Sequence, residues 1–444
     1  MTTITPQGFW HTTGSHTPTA PLAGDLDVDV AVVGGGFTGL STAHFLHRAD
    51  PTQSVAILEA QWIGYGASGR NAGFSMTKIG MTHSITALRF GRAKAREAHL
   101  YADRAVTLLQ ELVSELALDC DYEHPGFLWV ATSPKYSERL LEEIALVHRL
   151  GITGIHLIDH DELRARVDSP TYVGPAWWEP NSGLVNPAKL SWAWRDVVTR
   201  EGTAIFEGTP VSGIDRHPNT GRVILTTPGG RVRARKVVLA TNAWSHEFPE
   251  LAGKQVPVWT YIVLTEPLTD AQLETIGWRG REGVEDSRNL VHYYRLTPDN
   301  RLLIGGRDVK LGDGVTMGFD ADEAVWAALR EDVRRMFPGL ADVRFSHAWG
   351  GAVSATLDMF PAIGYLGGKD VIYSFGCVGH GVSTTHLNGQ TIVDLLLERE
   401  SALTDTFFVN RRLVPFPPAG LSHRTANGIA AYMRWEDRRL DVHG

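Results

Sequence analysis

Gly34, Gly36 and Gly39, in the run GGGFTG, have the GxGxxG spacing. That spacing gives a tight turn, a backbone free to approach a pyrophosphate, and a helix whose unpaired N–H groups and positive dipole end face the anion. Phe37 and Thr38 sit inside the turn. Twenty residues beyond Gly39, Glu59 ends the next apolar run with Ala60 behind it. A carboxylate there can accept from ribose hydroxyls and would repel a 2′-phosphate. A plain strand-to-helix turn would explain the glycines, but neither Glu59 nor its spacing.

The Gly/Ser/Asn-rich run GYGASGRNAGF follows at 64–74. Gly66, Ala67, Ser68, Asn71, Ala72 and Gly73 offer N–H and hydroxyl donors and Arg70 a positive charge, a set suited to a pyrophosphate; a flexible surface loop is the competing reading. In SFGCVGHGVSTTH at 374–386, Gly379, His380, Gly381 and Val382 precede another helix without GxGxxG spacing. Its N-terminus could face a flavin ring edge and stabilise negative charge there, or be an ordinary turn.

These residues need particular elements to hold them. The β-branched run 28–33 reads as a buried parallel strand, 38–48 as a helix and 54–58 as a second strand, together one βαβ unit. Apolar spacing predicts helices over 82–116, 135–150 and 191–200, and strands at 126–131 and 237–240. Two strands should flank a turn at 219–221, and 170–187 reads as a loop holding Trp177 and Trp178. Extended aromatic runs at 260–265, 290–296 and 301–305 predict an antiparallel sheet, and 371–375 a last parallel strand leading to a helix over 384–398.

With 444 residues the chain is long enough for two or three domains of ~150 residues each. Hydrophobic residues make up 43% and charged residues 21%, ordinary globular usage. A net charge of -8 and the lack of a Lys/Arg tract argue against nucleic acid or anionic membrane as partners. Cys120 and Cys377 are too few for a disulfide framework or a four-thiolate zinc site, so no metal and a reducing, cytoplasmic setting are expected. Residues 1–26 do not read as a secretory signal, and no run reaches the ~18 apolar residues of a membrane span. The 46 glycines and 13 tryptophans suit backbone packed against a ligand and an aromatic-lined cavity.

GGGFTGLSTA with Glu59, GASGRNAGF, ATNAW at 240–244, and WGGAVSATLDMFPAIG at 349–364 followed by GHGV resemble the FAD-dependent amino acid and amine oxidases of the D-amino acid oxidase and sarcosine oxidase superfamily. VPVWTYIVLTEPL, HYYRLTPDNRLLIGG and GHGVSTTHLNGQ are most similar to its gamma-glutamylputrescine oxidase branch. The resemblance implies an α/β fold: a Rossmann-like FAD domain of glutathione-reductase type, discontinuous in sequence, and an α+β substrate domain whose mostly antiparallel sheet covers the flavin. The expected boundaries are a polar extension over 1–25, the FAD domain over 26–83, 181–250 and 345–400, the substrate domain over 84–180 and 251–344, and a C-terminal extension over 401–444. By resemblance, Gly34, Gly36 and Gly39 lie at the pyrophosphate, Glu59 at the ribose, and Ser68, Arg70 and Asn71 near pyrophosphate and ring. Val211 lies against the adenine, Thr241 belongs to the ATNAW motif, and residues 379–382 lie beside the flavin. Relatives that tether FAD use a Cys before Asp-x-x-Pro or a His in the SGRNAG region; here 351–356 has no Cys and 70–71 no His, so FAD is expected to be non-covalent.

Flavin amine oxidation needs no protein nucleophile, only an oriented, neutral amine. His380 is the sharpest candidate for base or donor, with helix capping as the bland alternative. Alternation places His292 and Tyr294 on one face of their strand and Tyr293 and Arg295 on the other, without saying which looks at the flavin. Tyr294, Tyr261 and Trp349 are candidates for the cavity wall, and Arg295 for a substrate carboxylate or a surface ion pair. The expected reaction is oxidation of an amine or amino acid to an imine that hydrolyses, with O₂ as acceptor and gamma-glutamylputrescine-like amines favoured. The alternatives are a dehydrogenase or demethylase of N-methyl or cyclic amino acids passing electrons to a quinone or electron-transfer protein, and a non-catalytic flavin-binding redox sensor.

Overall fold

The computed structural model describes residues 8–217, 219–311, 317–417 and 419–440, with backbone alone for 419–427. The β-branched run becomes strand Leu26–Val33 at the centre of a sheet, flanked in parallel by Val55–Leu58 and Gly230–Leu239. Ala31 sits in register with Ala56 and Val237. Beyond these neighbours lie Ala204–Phe206 on one side and Val371–Phe375 on the other, again parallel, with Ala362–Tyr365 antiparallel at the edge. Gly230–Leu239 is long enough to pair also with Val223–Thr227, whose hairpin partner is Gly213–Arg216. The C-terminal parts of the central strands, residues 30–33, 55–58 and 237–239, are buried and wholly apolar, while Asp27, Asp29, Arg231, Arg233, Arg235 and Lys236 lie earlier in the same strands.

Helices Phe37–Ala49 and Gly381–Leu396 pack on this sheet and against each other, and each starts where a strand ends in a glycine turn. Gly389 permits the approach: a Cβ there would come 2.5 Å from the Ser41 hydroxyl. The helix expected from 384 begins three residues earlier, on Gly381 itself, so the GHG turn is its N-terminus.

A second, mostly antiparallel sheet runs Lys310–Leu311, Val256–Thr265, Leu302–Gly306, His292–Leu296, Gly283–Asp286, Phe127–Val130, Ala176–Glu179, His156–Ile158, with Phe345–Ala355 also paired to Val256–Thr265. The pair Gly283–Asp286 and Phe127–Val130 is parallel. The expected loop at 170–187 is in part sheet: Ala176–Glu179 and Gly183–Leu184 are strands, because AWWE pairs with FLWV. The alternation there is too short to read from sequence.

Both terminal extensions are built into the body. Trp10 is fully buried, donates from Nε1 to the Asn71 carbonyl at 2.8 Å, and packs with Phe9 against Trp192, Ile262 and Trp349. His16 stacks on Trp192 and bonds Glu207 at 2.7 Å, and Glu207 also accepts from the Ile63 amide at 2.6 Å. One polar strap thus ties the glycine-rich loop to the sheet edge. Near the other end Phe408 and Val409 join the core of the first sheet, and helix Ala419–Leu440 is anchored through Asp437, which accepts from the Asn289 and Leu290 amides, each at 3.0 Å. Among the described residues no helix is long and apolar enough to cross a membrane, and no cluster of His, Cys, Asp or Glu could hold a metal ion.

Candidate active site

A cavity of about 390 Å³ runs along the C-terminal ends of the parallel strands, where ligands of open α/β sheets bind. Gly34, Gly36, Phe37 and Thr38 line its middle, Glu59, Ala60 and Val211 one end, and Gly379, Gly381 and Val382 the other. Gly66, Ala67, Ser68, Asn71 and Thr241 complete the wall.

The glycines have distinct tasks. Gly34 has φ +109°, and a Cβ on it would lie 2.6 Å from the Ala240 carbonyl oxygen. Gly39 faces inward: its Cβ would lie 2.1 Å from the Gly34 carbonyl oxygen, so helix and strand could not pack. Gly36 lines the cavity, and its Cβ would meet only the Ser68 hydroxyl, at 2.8 Å. Ser68 Oγ accepts from the Phe37 amide at 3.0 Å, which draws the second loop onto the helix N-terminus. This cradle of small residues, amide donors and one acid matches a dinucleotide with free ribose hydroxyls.

Glu59 is half-buried, and its carboxylate accepts from the Gly35 amide at 2.7 Å and the Gln61 amide at 2.9 Å. Desolvation raises its pKa against the pull of those amides. Glu59→Ala should weaken FAD binding by ~1–3 kcal/mol, the range of hydrogen bonds to charged groups, while the reduction rate at saturation stays unchanged. Fluorescence titration of the apoprotein checks this, and an unaltered Kd would remove Glu59 from the ribose.

Arg70, Ala72 and Gly73 lie outside the cavity lining. The Arg70 guanidinium stacks on Tyr65 and donates to the Tyr65 carbonyl and to Asp320, both at 2.8 Å, so its charge joins the two sheets rather than lying along the cavity. Ala72 is packed beside Trp10, and Gly73, with φ +81°, is pressed against the Val185 carbonyl. Arg295 is fully buried behind them: it donates to the Val185 carbonyl at 2.8 Å and more loosely to those of Ala72 and Gly73, and burial lowers its pKa to about 10. It clamps the loop through backbone and, being fully buried, makes no surface ion pair, while its Nη2 is left without a hydrogen-bond partner.

The second sheet presents Tyr293, Ile262, Leu264, Leu303 and Trp349 toward the glycine-rich loop. Tyr261 and Tyr294 are on its other face, in a separate core; Tyr261 donates to the Phe319 carbonyl at 3.0 Å, and Tyr294 shares a 3.0 Å bond with Tyr172. Neither reaches the cavity. Alternation separated the two faces correctly but carried no information on their direction. Trp349 is on the near face, where its Nε1 donates to the Arg70 carbonyl at 2.8 Å and holds the loop.

His380 stands beside the cavity rather than in its lining, between Gly379 and Gly381, which do line it. It precedes helix Gly381–Leu396 without capping it, and its Nδ1 is buried with no hydrogen-bond partner. Burial, aided by the Lys78 ammonium, lowers its pKa to about 3, so the imidazole is neutral at ordinary pH. Lys78 pairs with Glu285, whose cross-strand neighbour is Tyr293, and Tyr293 bonds Thr260. Lys78, Glu285 and Thr260 escaped sequence reading because no spacing rule links them; only the sheet register brings them together.

Glu179 lies further along the same face, bonded to Thr77 and to Trp177 Nε1, and burial raises its pKa to about 7. Between the ordinary value of 4.5 and 7 the unfolded carboxyl is ionised while the folded one keeps its proton, so stability falls as pH rises through that window. Glu179→Gln should therefore gain thermal stability over wild type progressively from pH 4.5 to 7, with the gain level above it. Paired melting curves across pH test this; a constant difference would contradict it.

Cys377 lines the cavity as a free thiol, and burial pushes its pKa up to about 12, which keeps it protonated and a poor nucleophile. Acid or heat should release intact FAD into solution; yellow colour retained in the precipitate would show a tether.

Residues 29–395 match the DAO family of FAD dependent oxidoreductases. The chain is 33% identical over 443 residues, 99% of both chains, to the gamma-glutamylputrescine oxidoreductase of Escherichia coli (strain K12). It is 24% identical over 398 residues to the sarcosine oxidase subunit beta of Rhodobacter capsulatus, covering 86% of this chain and 88% of the other. The crystal structure of glycine oxidase from Geobacillus kaustophilus shares the fold, with a TM-score of 0.74 at 22% identity over 88% of this chain and 100% of that one. The chain belongs to the DAO family: it is an FAD-dependent oxidoreductase acting on amines or amino acids.

Proposed function

We propose that the protein oxidises the C–N bond of an amine of the gamma-glutamylputrescine type and passes the electrons to O₂. The observation that carries this reading is the neutral imidazole of His380, whose buried Nδ1 has no hydrogen-bond partner, in the turn whose Gly379 and Gly381 line the cofactor cavity. The end-to-end likeness to a gamma-glutamylputrescine oxidoreductase supports the substrate class.

When bound, FAD would supply the acceptor for the hydride leaving the carbon that carries the amine. The chain supplies the rest. Lys78 disfavours further positive charge near His380, so an alkylammonium arriving there is pressed to lose its proton. His380 Nδ1, neutral and free of any other partner, can bond the neutral nitrogen and orient it. Tyr293 stays protonated, since burial holds its pKa at about 12, and its bond to Thr260 fixes the ring. Gly305 makes room for that ring, because a Cβ there would lie 2.4 Å from it. Ile262, Leu303 and Trp349 keep water from the same face.

Anaerobic mixing with a panel of amines and amino acids, followed by loss of flavin absorbance, tests the reading. Amines with a terminal primary amino group should bleach the flavin, and admitting O₂ should restore it with one peroxide per turnover. Bleaching without peroxide would move the acceptor to a quinone or an electron-transfer protein. No bleaching by any amine would sink the proposal.

A further inference from the structure

Resting on that reading, we infer that Lys78 and Glu285 form a recognition clamp for a zwitterionic α-amino-acid group, held at the end of the substrate remote from the oxidised amine. Lys78 binds the α-carboxylate and Glu285 the α-ammonium.

The placement argues for it. Lys78 follows short strand Phe74–Ser75 and lies between the near face of the second sheet and the start of helix Gly381–Leu396; the Ser383 hydroxyl donates to the Met76 carbonyl at 3.1 Å, fixing this segment beside the His380 turn. Glu285 pairs with Lys78 from the sheet and is 4% exposed, whereas the Lys78 side chain keeps 27% of its exposure, so the pair is reached from the lysine side. The two charges meet each other and thereby balance an otherwise costly pair of buried ions.

Such a pair is neutral as a unit, and so is the zwitterion that would open it. An α-amino-acid group carries ammonium and carboxylate on one carbon, matched in sign and order to Glu285 and Lys78. Inserting it replaces one ion pair by two and leaves no charge unpaired. A simple alkylammonium, by contrast, could take Glu285 only by leaving Lys78 without its partner. The same lysine lowers the proton affinity of His380, so the clamp separates two demands: charged groups are held at Glu285 and Lys78, and the reacting nitrogen stays neutral at the His380 turn.

Calorimetry on the FAD-loaded protein tests the clamp without turnover, using γ-glutamyl-n-butylamide, which carries the amino-acid end but no oxidisable amine. Its α-ammonium-free counterpart, N-butylglutaramic acid, is the control. Wild type should bind the first at least tenfold more tightly. Glu285→Gln should lose that advantage while binding the control unchanged, and Lys78→Met should weaken both, since both keep a carboxylate. Equal binding of the two ligands by wild type, or equal weakening of both by Glu285→Gln, would overturn the clamp. Charge-dependent binding with no amine able to bleach the flavin would uphold the clamp and defeat the catalytic reading. Bleaching by γ-glutamyl amines with charge-blind binding would do the reverse.

Discussion

Gly36→Val should purify folded and colourless, with FAD affinity down ~10³-fold or more. The side chain would enter the cavity where the helix N-terminus meets the pyrophosphate, displacing hydrogen bonds to charged oxygens worth ~1.5 kcal/mol or more each. Folding should survive, because φ is -87° at Gly36 and the only close contact of a Cβ is the Ser68 hydroxyl, which can rotate. Gly39→Val makes the contrast: its side chain meets backbone at the strand-to-helix junction, so it should lose FAD and thermal stability together. Absorbance spectra and melting curves of both variants separate the two tasks. A folded, fully yellow Gly36→Val would remove the phosphate assignment.

His380→Ala should keep FAD and slow flavin reduction by ~10²-fold or more, the usual size of acid–base assistance. The imidazole makes no capping bond in this fold, so its removal should cost the helix little. Since its pKa lies near 3, the wild-type rate should show no limb near pH 6.5 from this residue. Any acidic limb at neutral pH then belongs to the substrate ammonium, and it should persist in the variant. Stopped-flow reduction at saturating amine across pH decides the matter; a rate within about threefold of wild type at every pH would show that His380 acts only in packing.

The glycine cradle of the cavity is legible in the sequence because its geometry is local. Gly34 to Glu59 form one strand–turn–helix–strand unit, so spacing alone places the acid beside the turn. The proposed amine end is not legible there, since it depends on register between distant strands. Glu285 opposes Tyr293 through one hairpin, and Thr260 reaches Tyr293 only across Leu302–Gly306. Tyr261 and Tyr294 are the candidates the sequence offers and Tyr293 is not, because a single strand does not reveal which of its faces packs toward the loop. Trp10 was obscure for another reason: one aromatic in a polar stretch has no periodicity, yet it is fully buried.

The strap that seats Trp10 imposes an order of assembly. Its seat is made by Ala188, Trp192, Ile262, Leu303 and Trp349, all synthesised long after residue 10 leaves the ribosome. Residues 8–22 must therefore wait in an open state until both sheets exist, and long-range closure of this kind is slow. The strap is the final latch, closing over a loop whose Gly64 and Asn71 also line the cavity. Cofactor capture can precede latching, and what is kinetically a late step becomes, once complete, a barrier to the cofactor's escape.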